Sequence, residues 1–144
     1  MSGSDFSREL LQALNDENLE TVDEYVKDKS VKQWIDNRVD HKQIQNARVT
    51  FADFVKDITC LAYASRCNNF HAVRKLVQAG ADVTVTDSQG YTPLHWACYG
   101  KTEVKQKVEY LLSCDASLIR ARDNDNDTPL HILQINSSII RLTL

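Results

Sequence analysis

Two histidines stand where acid–base chemistry is conceivable. His95 follows Asp87, Ser88 and Thr92, and His131 follows Asp123, Asp125, Asp127 and Thr128. A nucleophilic relay also needs a strained nucleophile turn, a carboxylate spaced to orient the ring, and donors for an oxyanion. None of these accompanies either histidine. Asp123-Asn124-Asp125-Asn126-Asp127 imitates the first half of a calcium loop. However, the position that must turn on Gly holds Thr128, and the one that needs a bidentate Glu holds Gln134. Cys60, Cys67, Cys98 and Cys114 form no C-x-x-C pair and fall where helices bury small residues, so they are expected to be free core thiols in a reducing compartment. His41 and His71 read as solvated surface residues, and the chain has no Gly-rich phosphate loop or basic–aromatic patch. The expected protein is not an enzyme, and it has no catalytic residue, cofactor or metal.

The elements that position these histidines are written beside them. In Ser88-Gln89-Gly90-Tyr91-Thr92-Pro93-Leu94-His95, Gly90 can take positive φ in a turn, Thr92 can cap a helix by accepting the His95 amide, and Pro93 suits the first helical position. Leu94, Ala97 and Cys98 then fall on one helix face. The pattern recurs at Asn126-Asp127-Thr128-Pro129-Leu130-His131, and in degraded form at Thr59-Cys60-Leu61-Ala62-Tyr63-Ala64. Thr59 to Thr92 is 33 residues and Thr92 to Thr128 is 36, which is a repeat period.

On these residues the chain resembles the ankyrin-repeat family, whose signature is a turn, Thr-Pro-Leu-His-x-Ala and two antiparallel helices. The resemblance implies an all-α ankyrin-repeat solenoid of stacked antiparallel helix pairs with short turn or finger connections. It also gives the histidine a structural role, ordering the helix start and bonding between adjacent repeats.

At 144 residues the chain is long enough for one domain. With 17 basic and 20 acidic residues and a net charge of -3, it is a poor match for a phosphate backbone, so nucleic acid is not an expected partner. The start, Met1 to Asp5, is polar, and no apolar run approaches a membrane span or signal core. No membrane partner is expected; the expected location is cytoplasmic, with nuclear residence also allowed.

Taken in order, residues 1–36 read as an N-terminal capping helix pair. Leu10, Ala13, Val22 and Val26 match Leu61, Ala64, Val73 and Val77 at the same internal offsets, and Asn18 is the cap between the two helices. Arg8, Glu9, Glu17, Glu20, Asp23 and Glu24 supply its charged outer positions.

Residues 37–57 read as an insertion. Val31, Trp34 and Ile35 before it allow either a longer helix or a strand, and Thr50 with Asp53 suggests a helix through Phe51, Phe54, Val55 and Ile58. Trp34, Phe51 and Phe54 are expected to fold the insertion back onto the stack.

Residues 58–87 form a repeat with Asn69 as a cap and Gly80 as a left-handed helix end. Residues 88–123 form a longer one, with Thr102 as the expected cap of its second helix, extra length expected near Lys101 to Lys107, and Asp115 in place of the capping glycine. The path after Asp115 is therefore expected to depart from the family pattern. Residues 124–144 form a partial repeat, whose apolar Ile139, Ile140, Leu142 and Leu144 suggest self-association through an uncapped C-terminal end.

Carried over by position, the concave partner surface of the family would comprise Tyr63, Arg66, Thr86, Ser88, Gln89, Tyr91, Trp96, Tyr99, Arg122, Asn124, Asp125 and Asp127. Tyr91 and Tyr99 lie outside the apolar set of their helix and are expected to face solvent at least in part, whereas Trp96 suits either a contact or a wedge between repeats. The implied function is non-catalytic protein–protein interaction as an adaptor, scaffold or inhibitor. The alternative is an accessory segment of a larger enzyme or scaffold.

Overall fold

The computed structural model describes residues 3–40, 45, 57–67, 70–100 and 102–135. Helices α1 (Gly3–Asn15) and α2 (Leu19–Lys27) form the first antiparallel pair. Phe6, Leu10, Leu11 and Leu14 recur at helical spacing on α1 and are all buried. Glu17 turns the chain at φ 53°, and Asn18 caps α2 by accepting the Thr21 amide at 3.1 Å.

The question left open at Val31, Trp34 and Ile35 resolves as a 3-10 turn over Lys29–Gln33, with Val31 and Ile35 buried. A short antiparallel pair, β1 (Val39–Asp40) and β2 (Asp57–Ile58), closes the base of the insertion with Val39 opposite Ile58. Ile58 is thus in a strand and not in the expected helix; residues 50–56, including Phe51 and Phe54, lie outside the described ones. Trp34 does fold back, packing edge-on to Phe6 with centroids 5.0 Å apart.

Three further helical units follow. Helix α3 (Cys60–Cys67) pairs with α4 (Phe70–Gln78), α5 (Pro93–Tyr99) pairs with α6 (Val104–Cys114), and residues 129–135 begin another helix. First helices stack on first helices, α1 on α3 on α5, and second on second, α2 on α4 on α6. The result is a two-layer solenoid with its core between the layers. Leu10, Ala13 and Val22 are buried like their counterparts Leu61, Ala64 and Val73, as their matching offsets predict.

The third unit carries its extra residues in two places. The core-facing Ala72, Val73 and Leu76 of α4 recur as Lys107, Val108 and Leu111 of α6 at a distance of 35 residues, against 33 between the helix-starting Thr59 and Thr92, so two of the added residues precede the α6 core, as expected near Lys101 to Lys107. Three aspartates after second helices close local turns. Asp82 accepts the Thr84 amide at 2.8 Å, Asp115 accepts the Ser117 amide at 3.0 Å, and Asp28 does the same for Ser30 at 2.8 Å. Asp115 directly follows the last residue of α6 with extended geometry at φ -155° instead of the left-handed one of Gly80, and the chain then departs from the pattern of the preceding unit through the 3-10 turn Ala116–Arg120.

Thr102 does not cap α6. Glu103 holds that position at φ 51° without a side-chain cap of its own. Its carboxylate instead accepts the Phe70 amide at 2.9 Å and so satisfies the start of α4 in the preceding unit. Asn69, the expected cap there, lies outside the described residues. Cys60 and Cys98 are buried and not disulfide-bonded, but Cys67 is half-buried and Cys114 exposed, because the end of α6 faces solvent.

Candidate protein-interaction face

Each finger is built around one buried aspartate. The Asp87 carboxylate accepts the Gln89 amide at 2.9 Å and the Tyr91 amide at 3.1 Å, while its backbone N–H donates to the Tyr91 carbonyl at 3.2 Å. Thirty-six residues on, the Asp123 carboxylate accepts the Asp125 and Asp127 amides, both at 2.9 Å. Gly90 and Asn126 take φ 76° and 67° at the same place in the two turns, as their types predict. A Cβ on Gly90 would lie 2.7 Å from Asn124 Oδ1, so glycine is also required by the close approach of the second finger.

The fingers are tied to each other. The Asn124 amide donates to the Gln89 carbonyl at 2.9 Å, and its side chain donates to the Ser88 carbonyl at 3.0 Å. His95 makes the third link. Thr92 accepts the His95 amide at 3.3 Å and returns its own N–H to His95 Nδ1 at 3.1 Å. Because Nδ1 accepts, the proton sits on Nε2, which donates to the Asp127 carbonyl of the next finger at 3.0 Å. The buried ring thus has the role that its motif position implies, and both of its nitrogens are occupied.

Burial lowers the His95 pKa from its ordinary 6.5, against the Asp127 carbonyl and the charges of Asp123, Asp87 and Asp127. A lowered histidine contributes stability that is present above about 6.5 and lost as pH falls through the folded value, since the unfolded chain protonates first. The melting temperature is therefore expected to fall as pH drops below this point. An NMR titration midpoint for the His95 ring at or above 6.5 would contradict it.

The aromatic residues expected at this face are largely core. Tyr63 is 1% exposed and its hydroxyl donates to Asn15 Oδ1 at 2.6 Å. Tyr91, expected to face solvent in part, is buried, because its ring fills the gap between finger and helix with centroids 5.0 Å from Trp96 and 6.1 Å from Tyr99. Trp96 is buried, with its indole N–H donating to Asp87 Oδ2 at 2.9 Å and its ring against Tyr91 and Tyr99 of its own repeat. Burial pushes the Asp87 carboxyl up, opposed by the Gln89 and Tyr91 amides, the indole and the charge of Arg38.

Among the remaining named residues, the bonds of Asn124 bring Ser88, Gln89 and Asn124 together as a finger strip. Ser88, Arg122, Asn124 and Asp125 are exposed, and Arg66, Thr86, Gln89, Tyr99 and Asp127 are half-exposed. Arg122 donates to the Asn126 carbonyl at 3.1 Å, bracing the second finger. These accessible residues are mostly polar, with Arg66 and Arg122 balancing Asp125 and Asp127, and Tyr99 is the one accessible aromatic among them.

One buried group escaped the sequence reading. Lys107 is 0% exposed, and its ammonium donates to the Ser65 carbonyl at 3.2 Å near the end of α3. A cation near a helix C-terminus meets unpaired carbonyls there. Burial pushes its pKa down, while the charges of Cys67 and Glu103 oppose this. The signal was its place in Val104–Lys107–Leu111, where a lysine on the apolar stripe demands an acceptor.

Among the described residues, no group of three or more His, Cys, Asp and Glu could hold a metal, and no helix is long and apolar enough to cross a membrane. Stacked helix pairs joined by cross-bonded fingers define a repeat solenoid that presents its finger tips. The family profile for ankyrin repeats (3 copies) matches residues 10–118 and 61–142, and the chain belongs to this family. An ankyrin repeat protein of Rickettsia bellii is 32% identical over 108 residues, covering 74% of this chain and 55% of its own length. A VAPYRIN-LIKE protein of Medicago truncatula is 44% identical over 39 residues, 27% of this chain and 8% of its own. Neurogenic locus notch homolog protein 1 of Mus musculus is 35% identical over 72 residues, 50% of this chain and 3% of its own. The chain thus spans little more than half of the rickettsial relative and small parts of the other two.

Proposed function

We propose that the chain is a non-catalytic protein-recognition module, acting as an adaptor, scaffold or inhibitor, whose partner docks on the finger strip. The observation that carries this is the cross-bonding of the two fingers through Asn124 and His95, which holds exposed Ser88 and Asp125 on a pre-ordered backbone. Ordering a loop before binding removes a cost that the partner would otherwise meet. Half-exposed Tyr99 beside these polar tips supplies the kind of side chain that dominates interface energetics. The short matches to much longer relatives favour, as a second reading, an accessory segment of a larger scaffold or enzyme.

The test uses a partner recovered by affinity capture from the source cell and verified with purified components. Ser88→Arg with Asp125→Lys places bulk and reversed charge on the tips. It should weaken binding by about 2 kcal/mol or more, while stability changes by only about 0.5 kcal/mol. Arg74→Glu, on the exposed outer side of α4, is the comparison. If Arg74→Glu weakens binding and the finger pair does not, the strip is not the docking face.

A further inference from the structure

The N-terminal helix pair carries a cleft of about 560 Å³ that has no part in the fingers. Three aromatic side chains line it: Phe6 from α1, Tyr25 from α2 and Trp34 from just after the 3-10 turn. Phe6 is buried, while Tyr25 and Trp34 are half-exposed. Tyr25 stands at 86° to the Phe6 ring with centroids 4.9 Å apart, and Trp34 at 66° and 5.0 Å. Both rings stand steeply on Phe6 instead of stacking on it, and all three border the same space.

The charge in this space has one sign. Glu24 and Asp28 line the cleft, and the Tyr25 hydroxyl donates to Glu9, which places a third carboxylate at the tyrosine tip. The Ser30 amide and hydroxyl both donate to Asp28 and lower its pKa, so this carboxylate stays ionised at neutral pH. Lys27 and Lys29 flank Asp28 in sequence and are exposed, but neither lines the cleft. Anions are disfavoured by this arrangement. A small metal ion is also a poor occupant, since no metal-holding group of carboxylates occurs among the described residues and ring faces cannot replace its water.

We propose that this cleft is a binding site for a compact alkylammonium cation. The negative faces of Tyr25 and Trp34 attract such a cation, whose charge is spread over an apolar surface and weakly hydrated. The carboxylates of Glu24 and Asp28 neutralise it at the rim, and the hydroxyls of Thr21 and Ser30 border the same space. Two sources share this chemistry, a free quaternary ammonium compound and a methylated lysine side chain on a polypeptide.

The test is an NMR titration of the isotope-labelled full chain with tetramethylammonium chloride, matched by sodium chloride and by neutral tert-butanol. Saturable millimolar shifts centred on the Trp34 indole, Tyr25 and Phe6 are expected with tetramethylammonium alone. The double variant Glu24→Gln, Asp28→Asn changes exposed side chains and keeps the Asn-compatible turn at residue 28, so the fold should persist by circular dichroism. Its affinity should drop about fivefold, as loss of two exposed charges implies. Choline and a trimethyllysine peptide form the two source arms, and the tighter binder supports the site while assigning its origin. Equal shifts with tert-butanol, no saturable shift with tetramethylammonium, or an unchanged affinity in the folded double variant would each overturn the proposal.

Discussion

Replacing Leu94 by alanine is expected to destabilise the protein by about 2 to 5 kcal/mol, a large share of the 5 to 15 kcal/mol typical of a whole domain. Leu94 is 0% exposed, and α5 lies against both α3 and α6 with every residue from Pro93 to Cys98 buried. Its neighbours are held by the Thr92–His95 cap and by the Asp87–Trp96 bond, so they cannot easily collapse into the space left behind. Leu130 provides an internal comparison, because it occupies the same motif position yet is 51% exposed. Leu130→Ala should cost less than about 1 kcal/mol. Urea denaturation of the two variants measures the difference directly, and similar losses for both would show that packing of α3 and α6 over α5 is not what sets the cost at Leu94.

Removal of the Asp87 carboxylate is expected to have the second largest effect. Asp87→Ala leaves the Gln89 amide, the Tyr91 amide and the Trp96 indole without their acceptor, at a site only 7% exposed. An unsatisfied buried donor costs about 1 to 3 kcal/mol, and Gln89 is partly open to water, so a total of about 3 kcal/mol or more is expected. Asp87→Asn keeps one carbonyl oxygen for the two amides but turns an NH₂ towards the indole N–H. It should cost about half as much and shift the tryptophan fluorescence. Denaturation that ranks asparagine level with alanine would mean that the two amides do not depend on this acceptor. A loss below about 1 kcal/mol for alanine would mean that water replaces the carboxylate.

Local hydrogen bonding was legible in the residues themselves. Thr92 with His95, Asn18 with Thr21, and the turning residues Gly90, Asn126 and Gly80 act within a few positions of chain, so type and spacing determine what they do. The period of 33 and 36 residues between helix-starting threonines likewise carried the family and the solenoid. Even the aspartate turns at Asp28, Asp82 and Asp115 were written as Asp-x-Ser or Asp-x-Thr.

Exposure was decided by the tertiary structure, because it depends on residues tens of positions away. Leu94 and Leu130 have the same motif around them and opposite burial, since only Leu94 lies under a well-covered helix. Tyr63 and Tyr91 looked like contact residues until Asn15 on α1 and the aromatic cluster around Trp96 enclosed them. Glu103 caps a helix in the preceding unit, and Lys107 gives its charge to a carbonyl 42 residues earlier. The aromatic cleft joins Phe6 to Trp34 only through the packing of the 3-10 turn on α1. Local bonds need only the right neighbours in sequence, whereas burial and long-range pairing exist only after separate units have stacked.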